Sequence, residues 1–310
     1  MISKGFKVLQ AGPLALLQDA GRFGVRRQGV TQGGPADLHA WAWANWLVGN
    51  PWGTAALEIT LGGLSLQAET QMTVAVAGAD LAATLDDQPL PLWQTLRLEA
   101  GQKLHFKQPV QGLRAYLAVA GGWAAKPVLG SVATVVREGL GGFDGQGKRL
   151  ETGDCLPIQS AKQPFEQRQV DASQRPDYSG LQRLQVLPGA QIAEFHGRSL
   201  FDAFNQEWTL DQRADRMGVR LLGPRLTCRL GAMVSEGISL GTVQVPPDGQ
   251  PLVLLNDRQT IGGYPRLGNL TPLAASRLAQ CLPGQKVRFQ AQGRGAALRE
   301  YQAFRFSVLG

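Results

Sequence analysis

The densest run of groups able to bind or polarise a ligand lies between Gln244 and Pro265. Gln244-Val245-Pro246-Pro247-Asp248-Gly249-Gln250-Pro251 makes a tight turn and Leu252–Leu255 an apolar strand. At the end of that strand stand Asn256, Asp257, Arg258, Gln259 and Thr260, followed by Ile261, Gly262, Gly263, Tyr264 and Pro265. Two amides, a carboxylate, a guanidinium and a hydroxyl at a strand end, beside an aromatic ring, are the makings of a small-molecule pocket. The paired glycines let backbone approach a ligand closely. The competing reading is a well-bonded pair of turns in which Asp257 and Thr260 satisfy neighbouring amides.

A second cluster opens the chain: Gln18-Asp19-Ala20-Gly21-Arg22, then Gly33-Gly34-Pro35-Ala36-Asp37. Arg22 presents a planar fork suited to a carboxylate or phosphate. It equally suits a structural ion pair with Asp19 or Glu58. Two other motifs lack the context their chemistry needs. Gly142-Phe143-Asp144-Gly145-Gln146-Gly147-Lys148 spells a phosphate loop, but Arg149 stands where a magnesium-binding hydroxyl belongs, and neither a buried strand before it nor a helix after it is indicated. Gly237-Ile238-Ser239-Leu240-Gly241 spells a nucleophile elbow, but no histidine base follows His196. Cys155, Cys228 and Cys281 are odd in number and far apart, which points to reduced thiols and away from a disulfide frame or zinc site.

The elements that must hold these groups come in two related sets. Arg22-Phe23-Gly24-Val25-Arg26 is echoed by Arg216-Met217-Gly218-Val219-Arg220, Ile59-Thr60-Leu61-Gly62 by Ile238-Ser239-Leu240-Gly241, and Gly101–Phe106 by Gly284–Phe289. One order and nearly one offset argue for two like domains, with a ligand cleft between them. We expect domains over 1–160 and 181–310, joined by a polar linker from Gln159 to Gly180. The first carries a helix at 35–48, opened by Pro35 and closed by Gly49-Asn50-Pro51. Its apolar stripe includes Asn45, which calls for a side-chain bond to backbone in preference to the alternative, a contact in the site. Short β runs between Gly, Pro and Asp punctuation fill 57–120, residues 121–153 form a glycine-rich loop region, and strands recur at 182–187, 226–230, 239–245, 251–255 and 286–290. A short helix is expected at 274–280.

The chain has 310 residues and a net charge of +7. Arginine outnumbers lysine, which suits a small anionic substrate as well as a basic surface. No clustered basic or basic–aromatic motif points to nucleic acid. No apolar run approaches the roughly 20 residues of a membrane helix. Met1–Lys7 has no apolar signal core, so we expect a cytoplasmic chain without membrane association.

Gln18–Arg22, Gly34–Asp37, Glu58–Gly62, Tyr116–Gly122, Gly130-Ser131 and Gln244–Pro265 together resemble the family of 5-oxoprolinase C subunits. That family is also called allophanate hydrolase subunit 2, the biotin-dependent carboxyltransferase-like family, or the Kip-type antagonists. The resemblance runs from about residue 6 to residue 290. It implies a mainly β chain of two cyclophilin-like β-barrel domains with a few short helices. It also implies a hetero-oligomer: the B subunit (a Kip-type inhibitor relative) and the A subunit complete an ATP-dependent enzyme, a hydrolase that opens 5-oxo-L-proline to L-glutamate. ATP and Mg2+ act at the level of that complex, with no covalent biotin on this chain. In that scheme Asp257, Gln259 and Thr260 are the catalytic candidates: Asp257 positions magnesium or acts as base, and the other two orient the amide. Arg22, Asp37, Arg216, Gln250 and Tyr264 line the substrate site, the arginines holding a carboxylate or phosphate. The loop Gly141–Gly147 departs from the family in being longer and richer in glycine.

Two other classes fit the same resemblance. Relatives form the carboxyltransferase part of urea-type carboxylases; this chain has no biotin-accepting Met-Lys pair, so biotin and its carboxylase would lie on other polypeptides. The third class is regulatory, an antagonist that binds an inhibitor of a histidine kinase.

Overall fold

A computed structural model describes residues 2–159, 165–231 and 233–309. The chain divides into two compact units. The first holds residues up to Phe23 and Gln32–Tyr178; the second holds Gly24–Thr31 and Ser179–Val308.

The first unit contains β1 (Ile2–Gln10), β2 (Leu14–Gln18), α1 (Leu38–Leu47), β3 (Ala56–Thr60), β4 (Leu64–Ala68), β5 (Met72–Asp80), β6 (Thr84–Leu85), β7 (Gln88–Pro89), β8 (Thr95–Leu98), β9 (Lys103–Phe106), β10 (Gln111–Val119) and β11 (Cys155–Gln159). They form a sheet in the order β11-β1-β4-β9-β6-β7 and a second in the order β2-β3-β10-β5-β8. Alternating apolar residues from both sheets, among them Phe6, Val8, Leu57, Leu66, Val76, Leu104 and Leu117, make one core. Burial of such side chains contributes roughly 1.5–3 kcal/mol each.

Helix α1 packs on β3, β5 and β10. Its start is set by the Asp37 carboxylate, which accepts the Ala40 amide at 3.0 Å. Asn45 meets the expectation placed on it: its amide donates to the carbonyls of Trp41 (3.2 Å) and Thr54 (3.0 Å). The polar stretch expected to be a linker is different. Residues 160–164 lie outside the described residues, and most of the remainder lies on the first unit. Arg168 donates to Trp46 O at 2.9 Å and stacks over the Trp46 ring, and Tyr178 donates to Asp37 Oδ2 at 3.0 Å. Composition reports polarity; in the fold that polarity anchors the segment.

The second unit contains β12 (Gln182–Pro188), α2 (Gly197–Asn205), β13 (Trp208–Leu210), β14 (Gly218–Leu222), β15 (Glu236–Gly237), β16 (Thr242–Gln244), β17 (Leu252–Leu254), β18 (Ile261–Gly262), β19 (Arg266–Leu270), α3 (Pro272–Ala279), β20 (Lys286–Ala291) and α4 (Arg294–Leu309). Seven strands close a barrel in the order β12-β19-β16-β17-β14-β13-β20. Closure comes from parallel pairing of β12 with β20, Gln182 opposite Val287 through Val186 opposite Ala291. Strands β15 and β18 form a separate two-stranded arm. Trp208, Val243, Val253, Leu267, Val287 and Phe289 fill the core. Among the described residues no helix is long and apolar enough to cross a membrane.

The third sequence echo does the same local job in both units: Gly101 and Gly284 adopt positive φ, 93° and 85°, and each turn feeds a strand. The first echo falls in a loop and short turn at 22–28 but leads into β14 in the second unit.

Candidate functional site

Strand β17 pairs with β14 so that Gly218 faces Leu254. The ladder continues beyond the strand ends: Leu255 N donates to Met217 O at 2.9 Å and Asp257 N to Arg216 O at 2.8 Å. Antiparallel register therefore brings the segment just before β14 against the segment just after β17. Arg216 Nε meets Asp257 Oδ2 and Arg216 Nη2 meets Asp257 Oδ1, each at 2.9 Å. Both residues are buried. A forked pair of this kind has fixed geometry as well as charge.

Arg258, the next residue, is also buried. Its Nη1 donates to Leu255 O at 3.0 Å and its Nε to Ile238 O at 3.4 Å. Arg26 donates to the same Ile238 carbonyl and, at 3.1 Å, to Thr260 O. It arrives on a short helical turn, Arg26–Gln28, closed by Gly29 at φ 79°. Ile238 N in turn donates to Thr260 O at 3.0 Å, continuing the β15–β18 pairing of Gly237 with Ile261.

Two guanidinium groups thus converge on one neutral oxygen. Burial, then the nearby Arg26 charge, push Arg258 down to about 9, with Asp257 opposing. Arg26 is lowered as well, by burial. Asp257, the carboxylate beside these groups, has both oxygens forked onto Arg216. A centre in which burial and like charge outweigh the opposing carboxylate favours the arrival of an anion.

Gln259 and Thr260 are half-buried beside this cluster, and among the described residues their side chains take no intramolecular hydrogen bond. Gly262 keeps the arm flush against its neighbours: a Cβ there would stand 2.3 Å from Ile238 Cδ1 and 2.7 Å from Gln244 Nε2. Gln244 is buried, and among the described residues its Nε2 has no hydrogen-bond partner.

The remaining candidates stand apart from this cluster. Gln250 clamps a turn, its Oε1 accepting Gly223 N at 2.8 Å and its Nε2 donating to Gly223 O at 3.1 Å. Tyr264, 44% exposed, lines a cavity of about 220 Å3 with Arg225, Cys228, Pro246 and Pro247; Asp257, Gln259 and Thr260 are not among its lining residues. Arg22 and Asp37 belong to the first unit. Arg22 is buried and donates to the carbonyls of Val128 (3.1 Å), Ser131 (3.5 Å) and Ala133 (2.5 Å). Asp19 accepts Ser131 Oγ at 2.6 Å and Val132 N at 2.8 Å, so the 18–22 cluster organises the 128–134 loop. Asp37 caps α1 and joins a buried network: its N donates to Tyr116 Oη at 2.7 Å, and Tyr116 donates to Glu58 Oε2 at 2.7 Å.

The structure therefore joins Asp257, Arg216 and the backbone of Thr260 to one centre and adds Arg26, Arg258 and Gln244. Arg258 and Gln244 lie inside the segment singled out by sequence. Arg26 lies in the first echo, but only the fold carries it into the second unit. The glycine-rich turn at 142–148 closes on itself through Lys148 Nζ and Asp144 Oδ2 at 3.3 Å, and no helix follows it through Asp154. It does not fit a phosphate cradle. Ser239 precedes β16 and its carbonyl accepts the Thr242 hydroxyl at 2.9 Å, a turn without the helix an elbow requires.

The same chain is matched over residues 28–291 by the family model of the carboxyltransferase domain, subdomain A and B. It is 41% identical over 287 residues to the C subunit of 5-oxoprolinase from Escherichia coli, covering 91% of this chain and 90% of the relative. It is 35% identical over 285 residues to the corresponding C subunit from Haemophilus influenzae, covering 92% and 90%. The crystal structure of Kluyveromyces lactis urea carboxylase superposes with a TM-score of 0.92 at 27% identity, covering 99% of this chain but 29% of that one. On this evidence the chain belongs to the carboxyltransferase-domain family, subdomain A and B, and is similar along nearly its whole length to the 5-oxoprolinase C subunits.

Proposed function

We propose that this chain is the C subunit of an ATP-dependent 5-oxoprolinase, acting in the cytoplasm with A and B subunits to open 5-oxo-L-proline to L-glutamate. One observation carries the reading: the match to the E. coli relative spans nine-tenths of both chains. A chain of the same extent as a known enzyme component is suited to the same role.

The chemistry suits the buried cationic centre. A lactam is a stable amide, and transfer of a phosphoryl group to its oxygen makes the ring carbon a better electrophile for water. Preorganised donors in a dry site stabilise the negative charge that develops. ATP and Mg2+ supply that activation in the complex; the turn at 142–148 does not fit them, and we place both with the partner polypeptides. On this chain, Gln259 and Thr260 offer donors to the amide, and the Arg216–Asp257 fork fixes the strand end that carries them.

A second reading is carboxyl transfer in a urea-type carboxylase, favoured by the close superposition on K. lactis urea carboxylase. Biotin and its carboxylase would then come from other chains. Co-expression with candidate A and B subunits, and assay of ATP turnover, separates the two. Turnover driven by 5-oxoproline supports the first reading. Turnover driven by urea, only with a biotinylated carrier present, replaces it with the second.

A further inference from the structure

We propose that Arg26 and Arg258 together form the receptor for the carboxylate of the substrate, with Arg26 supplied from the N-terminal part of the chain. The assignment rests on the 5-oxoprolinase reading and adds to it the group that 5-oxoproline presents besides its lactam.

The geometry carries it. Two guanidiniums share the carbonyl of Ile238, and Arg26 also reaches Thr260 O. Among the described residues Arg26 takes these carbonyls and no carboxylate. A carbonyl carries only a partial charge, so it balances a whole positive charge less well than a carboxylate does. Arg258 stands beside it, and its surroundings disfavour its charge on balance: burial and Arg26 outweigh Asp257. Asp257 itself is forked onto Arg216, and Glu236, on the neighbouring arm, pairs with Arg266. A carboxylate from a ligand, set between the two guanidiniums, would relieve both.

Its position is also right. Arg26 contacts the backbone of Thr260, whose hydroxyl and the neighbouring Gln259 amide are the groups assigned to the lactam. A substrate bearing a carboxylate on the carbon beside its ring nitrogen would meet both sets of donors at once. Arg26 is half-exposed while Arg258 is buried, so the anion would enter past the first and rest on the second.

The test uses the complex reconstituted with A and B subunits. Two numbers are measured: the KM for 5-oxoproline, and the inhibition constant of pyrrolidinone, the same lactam without its carboxylate. Arg26→Gln is expected to raise KM at least about tenfold, a loss typical of a charge-assisted bond, while the pyrrolidinone constant stays unchanged. Arg26→Lys should recover part of the loss. Arg258→Lys should raise KM in the same selective way, and Arg26, being half-exposed, keeps the test sound if Arg258 variants fail to fold. Both constants rising together would show that the arginines shape the fold only and would overturn the assignment, as would a KM that does not move. A wild-type complex inert towards 5-oxoproline would remove the underlying reading, and this assignment with it, before any variant is compared.

Discussion

Arg216 grips Asp257 through two bonds of 2.9 Å, one member lying just before a strand and the other just after its antiparallel neighbour. The pair extends the ladder by side chains where the backbone pairing ends. It explains why a carboxylate in the most polar segment of the sequence is buried and yet stable.

The first prediction follows from that fork. Asp257→Ala strips Arg216 of both bonds inside the protein and should cost about 3–5 kcal/mol, read from the urea midpoint of the purified chain. Asp257→Asn should cost less, because one acceptor survives. A midpoint that stays in place while turnover vanishes would assign Asp257 directly to the chemistry instead.

Arg258 gives a pH dependence. Burial first, then the Arg26 charge, holds its folded pKa at about 9, well below the ordinary guanidinium range, so between the two the unfolded chain binds more protons than the folded one. Stability from this group therefore rises with pH through that window, and the burial penalty is felt in full below it. Anion binding runs the other way, since only protonated Arg258 attracts a carboxylate. Affinity for 5-oxoproline should be flat near neutral pH and fall as pH rises through about 9. Burial first, then the Arg26 charge, set this breakpoint, with Asp257 opposing them. Arg26→Gln should move it upward by removing one positive neighbour, and a KM profile against pH measures the shift.

Tyr116 should matter to stability alone. Burial, then the charges of Glu58 and Asp37, raise its phenol well above the usual range, so it stays a donor to Glu58 at any working pH. Tyr116→Phe removes that donor and the acceptor of the Asp37 amide, and should cost about 1–3 kcal/mol in thermal unfolding.

Gly141→Ala should be worse. Gly141 has φ 76°, and a Cβ would stand 2.1 Å from Ala133 O and 2.7 Å from Arg22 Nη2. The backbone carbonyl cannot step aside without breaking its bond to Arg22. Loss of soluble, folded chain on expression, with Gly145→Ala better tolerated, is the expected result.

Much of this is legible in the residues. Pro35 and Gly49-Asn50 bracket a helix found at Leu38–Leu47, and the polar run after Leu252–Leu255 does sit at a strand end. Helices α2 and α4 are not foreseen. α2 has a clear apolar face but is short, and α4 presents few apolar residues to the core, with Ala297, Phe304 and Val308 buried, so its periodicity is weak. The segment 226–230 reads as a strand but makes only an isolated bridge at Cys228. Gln250 and Arg22 carry the right chemistry for ligands and direct it to backbone carbonyls and amides. Residue type cannot distinguish these uses; only the long-range register does. The same limit hides Arg26, whose partners lie more than two hundred positions away.

Residues 24–31 belong to the second unit although they are translated before most of the first. A nascent chain must therefore keep that cationic stretch waiting, through synthesis of the whole first unit, until Ile238 and Thr260 leave the ribosome. The first unit can collapse while still tethered; the centre built on Arg26 is completed only after most of the second has been made.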